Sequence, residues 1–193
     1  MGEVKSVLIA GVGGQGILLA SEIMSDVALE AGLDVKKSEV HGMAQRGGSV
    51  VSNVRFGEKV YSPLIKKGEA DIILSFEKLE TLRWLEYAKE GCSVFANTQQ
   101  IYPMSVTFGD ASYCADVEER VKGSVGDCVF FDALTEAMNL GTPRCVNVIM
   151  LGMLSTRLDF SKKAWDDVLA KRIKPKFLEL NRRAFERGLE LAS

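Results

Sequence analysis

"VKSVLIAGVGGQGILLASEIMSDVALEAG", residues 4–32, decides how this chain is organised. Residues 4–10 form a short, nearly unbroken apolar run, the pattern of a strand buried on both faces. Gly11, Gly13 and Gly16 then fall in the spacing G-x-G-x-x-G. From Ile17 onward, Ala20, Met24, Val27, Ala28 and Ala31 recur three and four apart, which predicts a helix closing at Gly32. The order strand, glycine turn, helix opens a Rossmann-like unit. Glycines permit positive φ and close backbone approach, and a helix N-terminus offers free N–H groups and the positive end of a dipole. Gly11, Gly13, Gly14, Gln15 and Gly16 are therefore candidate cofactor-binding residues. No lysine follows these glycines, which excludes a Walker-type nucleotidase.

The rest of the chain alternates in the same way. Residues 34–40 read as a weak strand, and 50–57 with 59–65 as a β-hairpin broken at the turn signal FGEK. Residues 70–76 are a buried strand, 77–91 an amphipathic helix, 92–98 a strand and 104–108 a short one. A helix over 111–123 precedes a strand at 127–133 and a helix from Ala133. Helices follow at 147–156, at 160–173 behind the capping residue Ser161, and from Pro175 to the end. The expectation is a single domain over residues 1–193. It is a three-layer α/β/α sandwich, Rossmann-like, with a mostly parallel sheet and an inserted β-hairpin.

A dinucleotide site needs a second core strand ending in Asp or Glu, about 20 residues on, to hold a ribose. Glu39 lies 23 residues past Gly16, but Lys36, Lys37 and Ser38 precede it and no clean apolar strand presents it. It sits within "KSEVHGMAQRGGSVVSNV", residues 37–54, which also holds the only histidine, His41, and Arg46 among glycines. His41, Gly42, Gln45, Gly47 and Gly48 form a polar loop facing a substrate or partner, and Arg46 offers a fixed charge suited to phosphate or carboxylate. The glycine turn keeps three readings open: a turn with no ligand, a stand-alone NAD or FAD site, or an anion or cofactor edge within a larger assembly.

Composition removes other classes. The 193 residues are 47% hydrophobic and 26% charged, which suits a packed domain. With 24 basic and 26 acidic residues, nothing favours nucleic acid or an anionic membrane as partner. No apolar run is long enough to span a membrane, and the start lacks a secretory signal, so the expected compartment is the cytoplasm. Cys92, Cys114, Cys128 and Cys145 contain no C-x-x-C pair and read as small hydrophobic residues. One histidine excludes a His-cluster metal site, and no G-x-S-x-G elbow marks a hydrolase. Catalytic residues are unassigned.

The motifs "VLIAGVGGQGILLAS" at 7–21 and "KSEVHGMAQRGGSVVSNVRFG" at 37–57 resemble the small, gamma-type catalytic-domain subunit of the 2-oxoacid:ferredoxin oxidoreductases. "YSPLI" at 61–65, "ADIILSFEKLETLR" at 70–83, "NVIMLGML" at 147–154 and "ELNRRAFERG" at 179–188 extend the likeness over almost the whole chain. The second motif favours the indolepyruvate branch. The resemblance implies oxidative decarboxylation of a 2-oxoacid to an acyl-CoA, with electrons passed to ferredoxin. It also implies that thiamine diphosphate and the iron–sulfur clusters sit on a large partner subunit, so that this chain alone holds no cofactor and is inactive alone. In the assembly, the glycine turn would offer N–H groups to a CoA phosphate or to the partner's backbone, and His41 a hydrogen bond near the substrate or thioester. An isolated subunit is expected to expose a hydrophobic face, with self-association into a homodimer left open. The competing readings are a stand-alone dinucleotide-binding reductase and a purely structural interaction module.

Overall fold

The computed structural model describes residues 4–42, 48–110 and 112–192. Strand β1 (Lys5–Val12) leads through the glycine turn into helix α1 (Ile17–Glu30), then β2 (Asp34–His41) and β3 (Ser49–Gly57). After β4 (Ala70–Ser75) come α2 (Lys78–Trp84), β5 (Ala88–Asn97), α3 (Met104–Thr107), α4 (Val117–Ser124) and β6 (Asp127–Phe131). Four helices close the chain: α5 (Ala133–Asn139), α6 (Val146–Ser155), α7 (Lys162–Arg172) and α8 (Pro175–Leu191). The six strands form one sheet in the order β2-β3-β1-β4-β5-β6. Only β3 runs against the others, because it pairs antiparallel with both β1 and β2 while β1, β4, β5 and β6 pair in parallel.

Alternation along β1 sorts the two helix layers, since successive strand residues face opposite sides. Val7 and Ile9 join α1, α6, α7 and α8 in one core, with Met24, Ile149, Met150, Trp165 and Phe185 fully enclosed. Leu8 and Ala10 face the other side with Ile73 and Val94, covered by Val117 and Val121 of α4 and by Leu79 and Leu82 of α2. The expected three-layer, mostly parallel sandwich is what the chain adopts. In the first layer, α6 and α8 cross almost backbone to backbone. A Cβ added to Gly152 would stand 2.2 Å from the carbonyl oxygen of Phe185, and one added to Gly188 would stand 2.1 Å from that of Ile149.

Four expectations need correction. The helix expected over 111–123 begins only at Val117 and runs to Ser124. The hairpin is β2–β3, closed across the 42–48 segment, and residues 59–65 are not its second strand. Both edges of β3 are already occupied, by β2 and β1, so no ladder is left for that segment. Its polar groups go elsewhere: Asp34 accepts from the Val60 N–H, and the Arg55 guanidinium donates to the carbonyls of Ser62 and Leu64. The helix expected to Gly91 ends at Trp84, tightens into a single 3₁₀ turn at Leu85–Tyr87, and gives way to β5. Pairing of Ala88 with Ala70 and the positive φ of 75° at Gly91 draw this stretch into the sheet. The short strand expected at 104–108 is instead the one-turn helix α3, started by Pro103, whose carbonyl accepts from Thr107. Among the described residues, no helix is long and apolar enough to cross a membrane.

Candidate functional site

The carboxyl ends of β1, β4 and β5 meet at one edge of the sheet, and the glycine turn lies there. Gly14 and Gly16 take φ of 104° and 83°, a conformation that L side chains rarely adopt, and Gly16 sits at the N-cap of α1. Gly11 is glycine for space: a Cβ there would stand 2.8 Å from the Phe76 Cβ and 2.9 Å from the Ile17 Cδ1. Gln15 does not reach outward. Its Oε1 accepts from the Val12 N–H at 2.8 Å, and its Nε2 donates to the Phe76 carbonyl at 2.8 Å and to the Gln99 Oε1 at 3.0 Å. One side chain thus bridges the ends of β1 and β4 and the segment leaving β5. That is the crevice where open α/β sheets bind ligands, since strand order reverses between β1 and β4. Here Gln15 fills it.

The polar segment comes to the same edge. The Gly13 N–H donates to the Gly48 carbonyl at 2.9 Å, and the Gly42 N–H to the Ser49 carbonyl at 2.9 Å. The two sequence motifs are therefore one surface. His41 ends β2 with its ring half exposed and its Nε2 3.9 Å from the Glu39 Oε2, while Gly42 is exposed and Gly48 half-buried. Gln45, Arg46 and Gly47 lie outside the described residues. Glu39 accepts from Ser21 at 3.2 Å and from Lys37 at 2.9 Å. Because β3 separates β2 from β1, Glu39 also lies two strand spacings from the glycine turn, about 9–10 Å, beyond a ribose held at β1.

Sequence reasoning missed two buried carboxylates behind this edge. Glu80, 4% exposed, accepts from the Ser49 hydroxyl at 2.5 Å and from the Trp84 Nε1 at 3.2 Å, and pairs with Arg83 at 3.0 Å. It fixes the point where β3 leaves the His41 segment. Glu77 caps α2 through the Glu80 N–H and also accepts from the Ile101 N–H and the Tyr113 hydroxyl. Burial and the Glu77 carboxylate push the Tyr113 phenol well above its ordinary value, so it remains a donor. In sequence both glutamates pass for the polar face of an amphipathic helix.

A cleft of about 340 Å³ opens beside the turn, lined by Gly14, Gln15, Gly16, Gln99, Leu134, Pro143, Arg144, Val146 and Asn147. Arg144 and Asn147 were also missed, lying where an apolar helix begins. Three of the four thiols are held in the protonated form. Burial pushes Cys92 up to about 12 and Cys128 to about 11, and raises Cys145 as well. Among the described residues, no group of three His, Cys, Asp or Glu side chains is placed to hold a metal ion.

Comparison with known proteins agrees with this picture. The family model described as pyruvate ferredoxin/flavodoxin oxidoreductase matches residues 6–191. Indolepyruvate oxidoreductase subunit IorB of Thermococcus kodakarensis is 42% identical, covering 97% of this chain and 95% of that protein. The subunit of the same name from Pyrococcus horikoshii is 40% identical over the same shares. A 2-oxoglutarate synthase subunit KorC of Methanothermobacter thermautotrophicus is 24% identical over 97% of this chain and 94% of its own length. Among solved structures, the gamma subunit of a keto/oxoacid ferredoxin oxidoreductase from Geobacter sulfurreducens superposes with a TM-score of 0.73 at 24% identity, covering 97% of this chain and 98% of that one. A 2-oxoglutarate:ferredoxin oxidoreductase from Magnetococcus marinus, solved with 2-oxoglutarate, coenzyme A and succinyl-CoA bound, gives 0.75 at 21% identity over 98% of this chain and 31% of that one.

Proposed function

The chain belongs to the pyruvate ferredoxin/flavodoxin oxidoreductase family as a subunit of a 2-oxoacid:ferredoxin oxidoreductase, and on that premise we propose that it serves an enzyme of the indolepyruvate branch acting on an aryl pyruvate. Identities of 42% and 40% to indolepyruvate subunits, against 24% to a 2-oxoglutarate subunit, support that choice of branch. A large cytoplasmic partner subunit carries the thiamine diphosphate, where the 2-oxoacid is decarboxylated, and the iron–sulfur clusters that deliver electrons to ferredoxin. This chain supplies binding and orientation.

The observation that carries the proposal is the bond from Gly13 to Gly48. It joins the glycine turn and the His41 segment into one surface at the carboxyl edge of the sheet. That surface faces the partner's cofactor site and the CoA side of the reaction. The turn gives N–H groups, Arg46 gives a fixed cation for a phosphate or carboxylate, and His41 ends β2 at the same edge as the turn.

Co-expression with a large subunit bearing thiamine and cluster motifs tests this. The pair should co-purify and reduce ferredoxin in the presence of indolepyruvate and CoA, while the chain alone should be inactive. Arg46→Ala should raise the apparent KM for CoA or for the oxoacid, and unchanged kinetics for both would end that assignment. A stand-alone dinucleotide reductase predicts tight NAD(P)H or FAD binding by the isolated chain instead. Against it stand Gln15 in the β1/β4 crevice and Glu39 bonded to Ser21 and Lys37. A purely structural module predicts that variants in the His41 segment change assembly but never turnover.

A further inference from the structure

We propose that residues 101–108, which leave the carboxyl end of β5 and include α3, form an apolar anchor that seats in a groove of the large subunit. This rests on the proposed function, in which this edge faces that subunit. It adds the side chains that hold the two together.

The segment has the composition of a covered surface, and its own chain does not cover it. Residues 98–109 carry no charge, in a chain that is 26% charged. Ile101, Tyr102, Met104, Val106 and Phe108 are hydrophobic, yet none is buried. Tyr102, Met104 and Phe108 stand 57%, 62% and 71% exposed. Scattered apolar exposure is ordinary, but three such side chains within seven residues make a patch. Met104 and Phe108 lie four apart across the single turn of α3, where the Phe108 N–H donates to the Met104 carbonyl at 2.9 Å, so they share one side. Tyr, Phe and Met are what the buried centres of interfaces favour, and charge is what they exclude.

The backbone beneath the patch is already fixed. The Ile101 N–H donates to the Glu77 Oε1 at 3.1 Å, and the Lys78 N–H to the Gln99 carbonyl at 3.0 Å. The Tyr102 ring meets Tyr113 edge-on at 5.3 Å. Pro103 opens the turn, and Gly109, at a φ of 85°, closes it. A surface ordered before docking loses little entropy when it docks.

Position selects the occupant. Gln99, at the base of the segment, accepts from the Gln15 Nε2 at 3.0 Å, which ties the patch to the glycine turn. The patch therefore continues the edge where that turn lies, and a second copy of this chain seated there would compete with the large subunit for it. The family's enzymes are built from several subunits, and this chain is one of them. The groove that receives the segment is apolar and uncharged, with a polar rim for the Tyr102 hydroxyl.

The test is a dilution series of the co-purified complex, followed by sedimentation. Met104→Ser combined with Phe108→Ser should raise the Kd for the large subunit about 30-fold or more. The factor should be the same at low and high salt, since no charge is removed. Leu29→Ser, at an equally exposed site at the far end of α1 from the glycine turn, should leave the Kd within about threefold. The Tm of the isolated double variant should stay within about 2 °C of wild type, because the replaced side chains are exposed. A Kd unmoved by the double variant would overturn the anchor while leaving the proposed function standing. So would an equal rise with Leu29→Ser, or a large fall in Tm, which would assign the two side chains to the chain's own core. An isolated wild-type dimer that the double variant turns into monomer, with the Kd for the large subunit unchanged, would assign the patch to a second copy instead. A wild-type chain that never assembles with the large subunit would overturn the proposed function and the anchor together.

Discussion

Gln15 is the residue whose replacement should disturb the fold in the most readily calculated way. Gln15→Ala removes the acceptor from the Val12 N–H, at the buried end of β1. An orphaned buried N–H costs about 1–3 kcal/mol. The Phe76 carbonyl keeps a donor in Asn97 Nδ2 at 3.1 Å, so losing the bonds to Phe76 and Gln99 adds only about 0.5–1.5 kcal/mol. The sum, about 1.5–4.5 kcal/mol, corresponds to a fall in Tm of roughly 3–18 °C for a chain of this size. Gln15→Glu sharpens the argument. It keeps the oxygen that serves Val12 but replaces the Nε2 donor with a second oxygen facing two oxygens. At neutral pH it should be the more damaging variant, although it is nearly isosteric. Its carboxyl, raised in the folded state, should lend stability at low pH that is lost as pH rises through its titration. Thermal melts of the three proteins between about pH 4 and 8 read both effects. A Tm for Gln15→Ala within about 2 °C of wild type, or Gln15→Glu as stable as wild type at neutral pH, would refute the tether.

Other outcomes rest on the same geometry. Gly152→Ala must part α6 from α8, since its Cβ would lie 2.2 Å from a backbone oxygen; a loss of about 1–3 kcal/mol or more should appear in a thermal melt. Glu80→Ala unpairs Ser49 and Trp84 and should cost about 1–3 kcal/mol with a change in tryptophan emission, whereas Glu80→Gln should retain most of the stability. Iodoacetamide near pH 8 should leave Cys92 and Cys128 unmodified in the folded chain and label both in denaturant, as mass spectrometry would show. Because both thiols are raised in the folded state, their contribution to stability is whole below about pH 8.5–9 and is lost as pH rises toward their folded values of about 11 and 12. A denaturant midpoint that did not fall over that range would contradict their burial.

The opening strand, turn and helix are legible in the sequence because each rests on local chemistry: an apolar run, glycine spacing and a 3.6-residue period. The presence of β2 and β3 is legible too, but their partnership is not. Residues 50–57 and 59–65 look like a hairpin locally, and only the sheet order shows that β3 already has two partners. The end of α2 is hidden because Ala88–Gly91 carry a helical pattern that pairing with β4 overrides. At the site, Gln15 looks like a ligand contact because its neighbours are glycines; its three bonds are made to residues as far as 84 positions away, which spacing cannot reveal. Arg144 and Asn147 carry no motif. They come beside the glycine turn because α6 begins next to α1, a fact of packing alone.

The antiparallel insertion of β3 has a bearing on amide exchange. Strand β2 has no other neighbour in the sheet, so every ladder bond it makes depends on β3. Excursions that detach β3 release both strands at once, while β1 retains its ladder with β4. The amides of 34–41 should therefore exchange with deuterium no more slowly than those of 49–57, and both faster than those of β4, which lies between two parallel neighbours. His41 rides on that least protected arm. Its placement is then governed by an opening equilibrium of the hairpin, one that a subunit seated on the same edge would suppress.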